Sequence, residues 1–165
     1  VNKIKTLNEL KTIVASARMK GKTVVLANGS FDLLHVGHIR YLKGAKSKGD
    51  ILVVAVNDDR STRMLKGKGR PIIPIKERLE ILSHISCIDY CASFSGRTVE
   101  RVIMALRPDI HAKGTDYTKE TVPERESVLS YGGTISIVGD PKKHSTSSLI
   151  HKIAKSKTKK EYIVH

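Results

Sequence analysis

Short, unbroken apolar runs alternate with longer stretches of helical spacing, and this constrains the chain more than any other feature. Residues 51–56, Ile-Leu-Val-Val-Ala-Val, contain no polar side chain. A strand that is apolar at every position must be covered on both faces, which is the condition of an inner strand in a parallel sheet. The same pattern recurs along the chain. Leu7, Leu10, Val14 and Ala17 form a helical stripe ended at Gly21, and the largely β-branched run 23–27 follows as a first strand. Residues 38–48 present Ile39, Leu42 and Ala45 on one helical face before the strand 51–56. A short helix over 59–65, a Gly- and Lys-rich loop 66–71 and a helix opened by Pro74 lead to a third strand at 90–94. Helices at 99–106, 122–131 and 145–155 alternate with strands at 109–112 and 134–138. This order, with its short connections, predicts an α/β fold: a doubly wound parallel sheet of about five strands with helices on both faces.

With 165 residues the chain accommodates one domain, placed at 1–155, followed by a basic tail at 156–165. A domain of this size buries enough apolar surface to need no disulfide or metal staple. Cys87 and Cys91 lie four apart with no second pair to build a disulfide framework or a four-cysteine zinc site, which fits a reducing cytoplasm. With His84 they make a weak metal pattern, and the plainer reading is buried thiols packing as small hydrophobes. The longest apolar run has six residues, against the roughly 20 that a membrane span requires. Lys3, Lys5, Glu9 and Lys11 interrupt the N-terminus before a secretory apolar core forms, so no export signal is expected. The net charge of +14 favours polyanionic partners such as nucleotides, phosphorylated metabolites or nucleic acid, and does not choose among them.

Two glycine motifs are set aside. Gly21-Lys22-Thr23 mimics the end of a phosphate-binding P-loop, but a helix precedes it and a strand follows, the reverse of what that loop needs. Its leading glycine would also fall on Ser16. Gly67 and Gly69 follow no strand directly and open no helix, so they make no dinucleotide fingerprint. The segment 28–38, Asn-Gly-Ser-Phe-Asp-Leu-Leu-His-Val-Gly-His, is different: it lies at the carboxyl end of the first strand, where open α/β sheets bind ligands. His35 and His38 are three apart at a helix start, whose unpaired N–H groups attract phosphate. Gly37 between them leaves the backbone open to a ribose or base. On spacing alone the pair also suits a metal or two surface histidines.

The whole segment resembles the nucleotidyltransferase superfamily, marked by His-x-Gly-His after a Gly-[Thr/Cys/Ser]-Phe-Asp turn. Further pieces follow in that family's order: Asn57-Asp58-Asp59, Leu65-Lys66-Gly67 with Arg70-Pro71, Arg78, Cys87-Ile88-Asp89-Tyr90, and Arg107-Pro108-Asp109. Lys113-Gly114-Thr115-Asp116-Tyr117, Tyr131-Gly132-Gly133 and the hydroxyl run from Ser145 complete it, so that the resemblance covers about residues 22–155. The Lys-Gly-x-Asp-Tyr segment and the Leu-Lys-Gly-x-Gly-Arg-Pro loop are most similar to the adenylyltransferase branch that makes ADP-heptose. Two departures stand out. Ser95-Gly96-Arg97-Thr98-Val99 replaces that branch's acidic Glu-Asp-Thr-Pro stretch, and Ser145-Thr146-Ser147 replaces Ser-Thr-Thr.

The resemblance implies a Rossmann-like fold and in-line attack by an acceptor phosphate on the α-phosphorus of a nucleoside triphosphate, with pyrophosphate leaving. Such transfer depends on positioning and charge stabilisation more than on a base. His35, His38 and Lys66 then carry catalysis. Gly29, Ser30, Phe31, Gly37, Lys113, Gly114, Asp116, Tyr117, Ser145, Thr146 and Ser147 bind nucleotide, and Asp32, Lys68 and Arg78 meet the acceptor. The plainer roles are an ordinary helix cap for 145–147, a solvated basic loop for Lys66 and Lys68, and a loop brace for Arg78. Asp58 and Asp59 suit either a ribose or metal environment or simple caps. Mg²⁺ is implied as cargo of the triphosphate, with few protein ligands. The implied partners are ATP or CTP and a phosphorylated small-molecule acceptor, in a homodimer, with neither a membrane nor a specific nucleic acid. A CTP-dependent enzyme acting on glycerol 3-phosphate or another polyol phosphate is the alternative. A basic RNA-binding module is the alternative of another class, although aromatic residues at 4% leave few stacking platforms.

Overall fold

The computed structural model describes residues 2–141 and 146–156. Five strands, β1 (Val24–Gly29), β2 (Ile51–Asn57), β3 (Tyr90–Phe94), β4 (Ile110–Lys113) and β5 (Thr134–Ile137), form one sheet in the order β3-β2-β1-β4-β5. Every pairing is parallel. The helices among the described residues are α1 (Leu7–Met19), α2 (Val36–Lys46), α3 (Asp59–Lys66), α4 (Ile75–Ser83), α5 (Glu100–Leu106), α6 (Arg125–Leu129) and α7 (Thr146–Ser156).

Side chains alternate across a strand, and β1 divides its own between two cores. Val24 and Leu26 join Leu10, Val14, Ile103 and Val128 beneath α1, α5 and α6. Val25 and Ala27 face the other way, into Leu42, Ala45, Leu79 and Leu82 of α2 and α4. Covering on both faces is why β1 is apolar from Val24 to Ala27 and β2 from Ile51 to Val56, and the expected doubly wound architecture is the one observed. At the outer edge, β3 does not stay open to solvent. The N-terminal segment runs beside it, with the Cys91 N–H donating to the Lys3 carbonyl and the Lys5 N–H to the Cys91 carbonyl, each at 2.9 Å.

The amino edge of the sheet is closed by aspartates that stand just before strands. Asp50 accepts the Thr23 N–H at 2.8 Å, Asp89 the Leu52 N–H at 2.7 Å and Asp109 the Val24 N–H at 2.8 Å. Each satisfies a backbone N–H at or beside the start of a strand. Asp109→Ala should therefore lower stability by about 1–3 kcal/mol, read as a lower urea midpoint at unchanged slope. A midpoint indistinguishable from wild type contradicts this role.

Some boundaries differ from the periodicity. Helix α2 starts at Val36 rather than at residue 38, because His35 is extended at φ −142° and its carbonyl already accepts the His38 N–H at 2.9 Å. Helix α6 is five residues rather than ten. Pro123 disfavours helical geometry at Val122, and Gly132, at φ 86°, turns the chain after Leu129. The expected helix start at Ser145 lies outside the described residues.

Candidate active site

The strand order reverses between β1 and β4, and the crevice at their carboxyl ends is the usual ligand position in such sheets. The β1–β4 ladder extends to Ala27 and Ala112. At the next step the hydroxyl of Tyr41, on α2, enters between the strands. It accepts the Asn28 N–H at 3.3 Å and donates to the Ala112 carbonyl at 2.9 Å. Burial pushes this phenol well above its ordinary pKa, so it keeps the proton it donates. Below, the Asn28 side-chain oxygen accepts from Lys113 Nζ at 3.2 Å and lies 3.3 Å from His111 Nε2. Lys113 also pairs with Glu124 at 3.2 Å and stands 4.9 Å from the centre of the Tyr117 ring. The cleft above this floor has a volume of about 500 Å³, enough for a nucleotide.

His35 and His38 stack at the N-terminus of α2, ring centroids 3.9 Å apart. His38 also packs on Phe31 at 5.4 Å. Phe31 takes a left-handed φ of 46°, which lays its ring over Gly29, where a Cβ would come within 3.1 Å of it. The His35 N–H donates to His38 Nδ1 at 3.3 Å, which leaves the proton on Nε2. Burial, then the neighbouring His35 and Lys66, bring the His38 pKa down to about 4, so the ring is a neutral donor at physiological pH. His111 falls to about 3 through burial and the charge of Lys113.

Both histidines bind protons more weakly folded than unfolded, where the pKa is about 6.5. Their stabilising contribution is complete above pH 6.5 and is lost as pH falls toward their folded values. The unfolding free energy from urea titration should be level above pH 7 and decline between pH 6.5 and 4, by at most about 1.4 kcal/mol per pH unit for each histidine, with the midpoint falling in step. A midpoint unchanged across that window contradicts the neutral assignment.

The loop after α3 is clamped from beneath. Asp32, 2% exposed, accepts Arg70 Nε at 2.6 Å, the Ile72 N–H at 2.8 Å and the Ile73 N–H at 2.9 Å. Burial raises its pKa, but these backbone donors and Arg70 outweigh that and hold it below the usual carboxylate range. Arg78 is 1% exposed. It donates to the carbonyls of Ser30, Ile73 and Asn57 and to the carboxylate of Asp59 at 2.7 Å, joining the ends of β1 and β2 to α3 and the loop. On the far side, α7 is tied in by the Thr146 hydroxyl, which donates to the Leu33 carbonyl at 3.1 Å. The first turns of α2 and α7 thus border one cleft.

The sequence profile of the cytidylyltransferase-like family matches residues 26–161. The chain belongs to that family. It is similar to bifunctional proteins HldE, with 47% identity over 154 residues in Geobacter sulfurreducens and 46% over 152 residues in Syntrophotalea carbinolica. These matches cover 93% and 92% of this chain and 31% of each relative, so the chain spans about a third of the length of those proteins. A lipopolysaccharide core biosynthesis protein from Thermoplasma volcanium superposes with a TM-score of 0.59 at 32% identity, over 71% of this chain and 94% of that one. The family is one of nucleotidyltransferases, and the resemblance read from 28–38 is the right one.

Within this cytidylyltransferase-like fold the cleft brings together Gly29, Ser30, Phe31, His35, Gly37 and His38 with Lys66. Lys113, Gly114, Asp116 and Tyr117 border it from β4, and Thr146 and Ser147 from α7. Ser145 lies outside the described residues. The three residues expected at the acceptor are placed differently. Asp32 borders the cleft, but its carboxylate is committed to the loop clamp. Arg78 is buried behind the cleft as a brace, because its donors already reach three carbonyls and Asp59. Lys68 is exposed and does not line the cleft. Asp58 caps α3 through the Ser61 N–H at 2.7 Å, and Asp59 serves Arg78. Asn28 opens the segment singled out in the sequence, although no role was expected of it, and Tyr41, His111 and Glu124 were not expected there. Of these three, Tyr41 carried a signal, three residues after His38 and so on the same face of α2.

Cys87 and Cys91 are both free thiols. Among the described residues no cluster of three or more His, Cys, Asp or Glu could hold a metal ion. No helix among them is long and apolar enough to cross a membrane.

Proposed function

We propose that this cleft transfers AMP from ATP to a sugar phosphate of the D-glycero-D-manno-heptose 1-phosphate type, forming ADP-heptose and releasing pyrophosphate. An oxygen of the acceptor phosphate bonds to the α-phosphorus. The bond from that phosphorus to the β-bridging oxygen breaks, and its electron pair leaves with pyrophosphate. The observation that carries this reading is His38, a neutral donor fixed on Nε2 beside His35 where two helix N-termini meet. Donors aimed at the charge that grows on non-bridging and leaving oxygens are what this chemistry needs, and no protein nucleophile is required. The HldE relatives support the choice of acceptor, since adenylylation of a heptose phosphate is the half-reaction that the sequence resemblance implies.

Mg²⁺ carried in with the triphosphate would supply positive charge to its oxygens. Four carboxylates border the cleft among the described residues, and three of them, Asp32, Glu124 and Asp140, are matched by Arg70, Lys113 and Arg40, which suits an ion held mainly by the triphosphate. The proposal includes a homodimer working in the cytoplasm, where ATP is supplied. The resemblance supports the dimer, and sedimentation that finds only monomer contradicts it.

The test crosses ATP and CTP with heptose 1-phosphate and glycerol 3-phosphate and measures pyrophosphate release. Release with ATP and the heptose is expected. Release only with CTP and glycerol 3-phosphate would instead establish the cytidylyl reading, which the family's name favours. Release in no combination contradicts both.

A further inference from the structure

Five basic side chains of Lys or Arg border the cleft among the described residues, and three of them are neutralised on the spot. Arg40 pairs with Asp140 at 2.7 Å, Arg70 with Asp32 at 2.6 Å and Lys113 with Glu124 at 3.2 Å. Lys66 and Arg97 have no carboxylate within 4 Å among the described residues. Both stand on the same side of the cleft. Lys66 ends α3, which follows β2, and Arg97 lies in the loop that follows β3, whereas Lys113 and Asp140 belong to the β4 and β5 side. Uncompensated positive charge therefore lies on the segments that follow β2 and β3.

The loop that carries Arg97 is built rather than loose. Ser95 donates its hydroxyl to Asp58, and the Gly96 N–H donates to the Ser61 hydroxyl at 2.8 Å. The Asn57 amide donates to the Gly96 carbonyl at 3.2 Å. At the other end Val99 is fully buried, and its N–H donates to Glu124 at 3.4 Å. Arg97 and Thr98 form the exposed crest between these anchors and border the cleft. The braced backbone needs no reordering for this arginine to bind, and its planar fork matches a phosphate.

We infer that Arg97 is the residue that recognises the acceptor phosphate, holding it together with Lys66 on the β2 and β3 side of the cleft. The inference rests on reading the cleft as a transferase site. It assigns to Arg97 the contact expected from the sequence of Arg78, which is buried, and of Lys68, which does not line the cleft.

The experiment titrates the wild type, R97A and R97K with inorganic phosphate and with heptose 1-phosphate by calorimetry, with the α,β-methylene analogue of ATP already bound. In parallel, KM and kcat are measured for ATP and for the sugar phosphate. R97A should weaken both phosphate ligands and raise the acceptor KM by about 10- to 100-fold, the loss of a charge-assisted phosphate contact. The analogue's affinity and the KM for ATP should stay near wild type, and R97K should recover part of the loss. Equal phosphate binding by wild type and R97A overturns the assignment. So does absence of phosphate binding to the wild type, or an equal weakening of nucleotide and acceptor. Arg97-dependent phosphate binding without turnover of heptose 1-phosphate upholds the assignment and sinks the ADP-heptose reading instead.

Discussion

His38→Ala is expected to lower kcat by about 10²- to 10³-fold while leaving ATP affinity close to wild type, because the donor it removes matters most as charge develops in the transition state. The ring is neutral, with burial, His35 and Lys66 bringing its pKa to about 4, and the His35 N–H at Nδ1 leaves Nε2 as the proton-bearing atom. The bond from its Nε2–H to an oxygen strengthens as negative charge develops there. His38→Gln keeps an N–H donor on a side chain of similar reach and should retain more activity than the alanine variant. Truncation also opens space beside Phe31 and His35, so the comparison requires both variants to unfold cooperatively in urea. Activity of His38→Ala within about threefold of wild type, less than one donor is ordinarily worth, would remove His38 from the mechanism.

Arg78→Met should cost about 3–5 kcal/mol of stability, the range for removing one partner of a buried charged network. The guanidinium is the single link among the carbonyls of Ser30, Asn57 and Ile73 and the Asp59 carboxylate. Methionine fills a similar volume but removes the side-chain donor from the Ser30 and Ile73 carbonyls and leaves the Asn57 carbonyl with the Thr62 hydroxyl at 3.3 Å. Arg78→Lys keeps the charge and can reach only some of these acceptors, so an intermediate loss is expected. The decisive contrast is with an acceptor-binding role. If Arg78 met the substrate, its replacement would raise acceptor KM with little change in the urea midpoint. The structure requires the reverse order: a large midpoint shift first, with activity falling as the loop and the β1 end loosen.

The alternation of strands and helices was legible because both faces of β1 and β2 are covered, which leaves a purely apolar signature. The cleft was legible because the residues at the β1 end are contiguous, so one segment carries Gly29, Phe31, His35 and His38 together. What the sequence hid are pairings between distant residues. Tyr41 with Ala112, Lys113 with Glu124 and Asp109 with Val24 leave no periodic trace, since hydrophobic pattern reports burial and not partners. Arg78 was recoverable in part. It lies three residues after Ile75 and four before Leu82, on the apolar stripe of α4, where an arginine can remain only if its donors find acceptors inside. The short α6 shows a different limit. Periodicity ran through residues 122–131, but the backbone restriction imposed by Pro123 decided where the helix begins.

The most direct test of the central claim follows ATP and heptose 1-phosphate by phosphorus NMR with the wild-type protein and Mg²⁺. Nucleotidyl transfer should give loss of both substrate signals, growth of the two coupled resonances of a sugar nucleotide diphosphate, and one pyrophosphate for each product formed. ADP appearing beside a doubly phosphorylated sugar would mean transfer of the γ-phosphoryl group. AMP and pyrophosphate with the sugar phosphate untouched would mean hydrolysis, and either result would contradict nucleotidyl transfer to the acceptor.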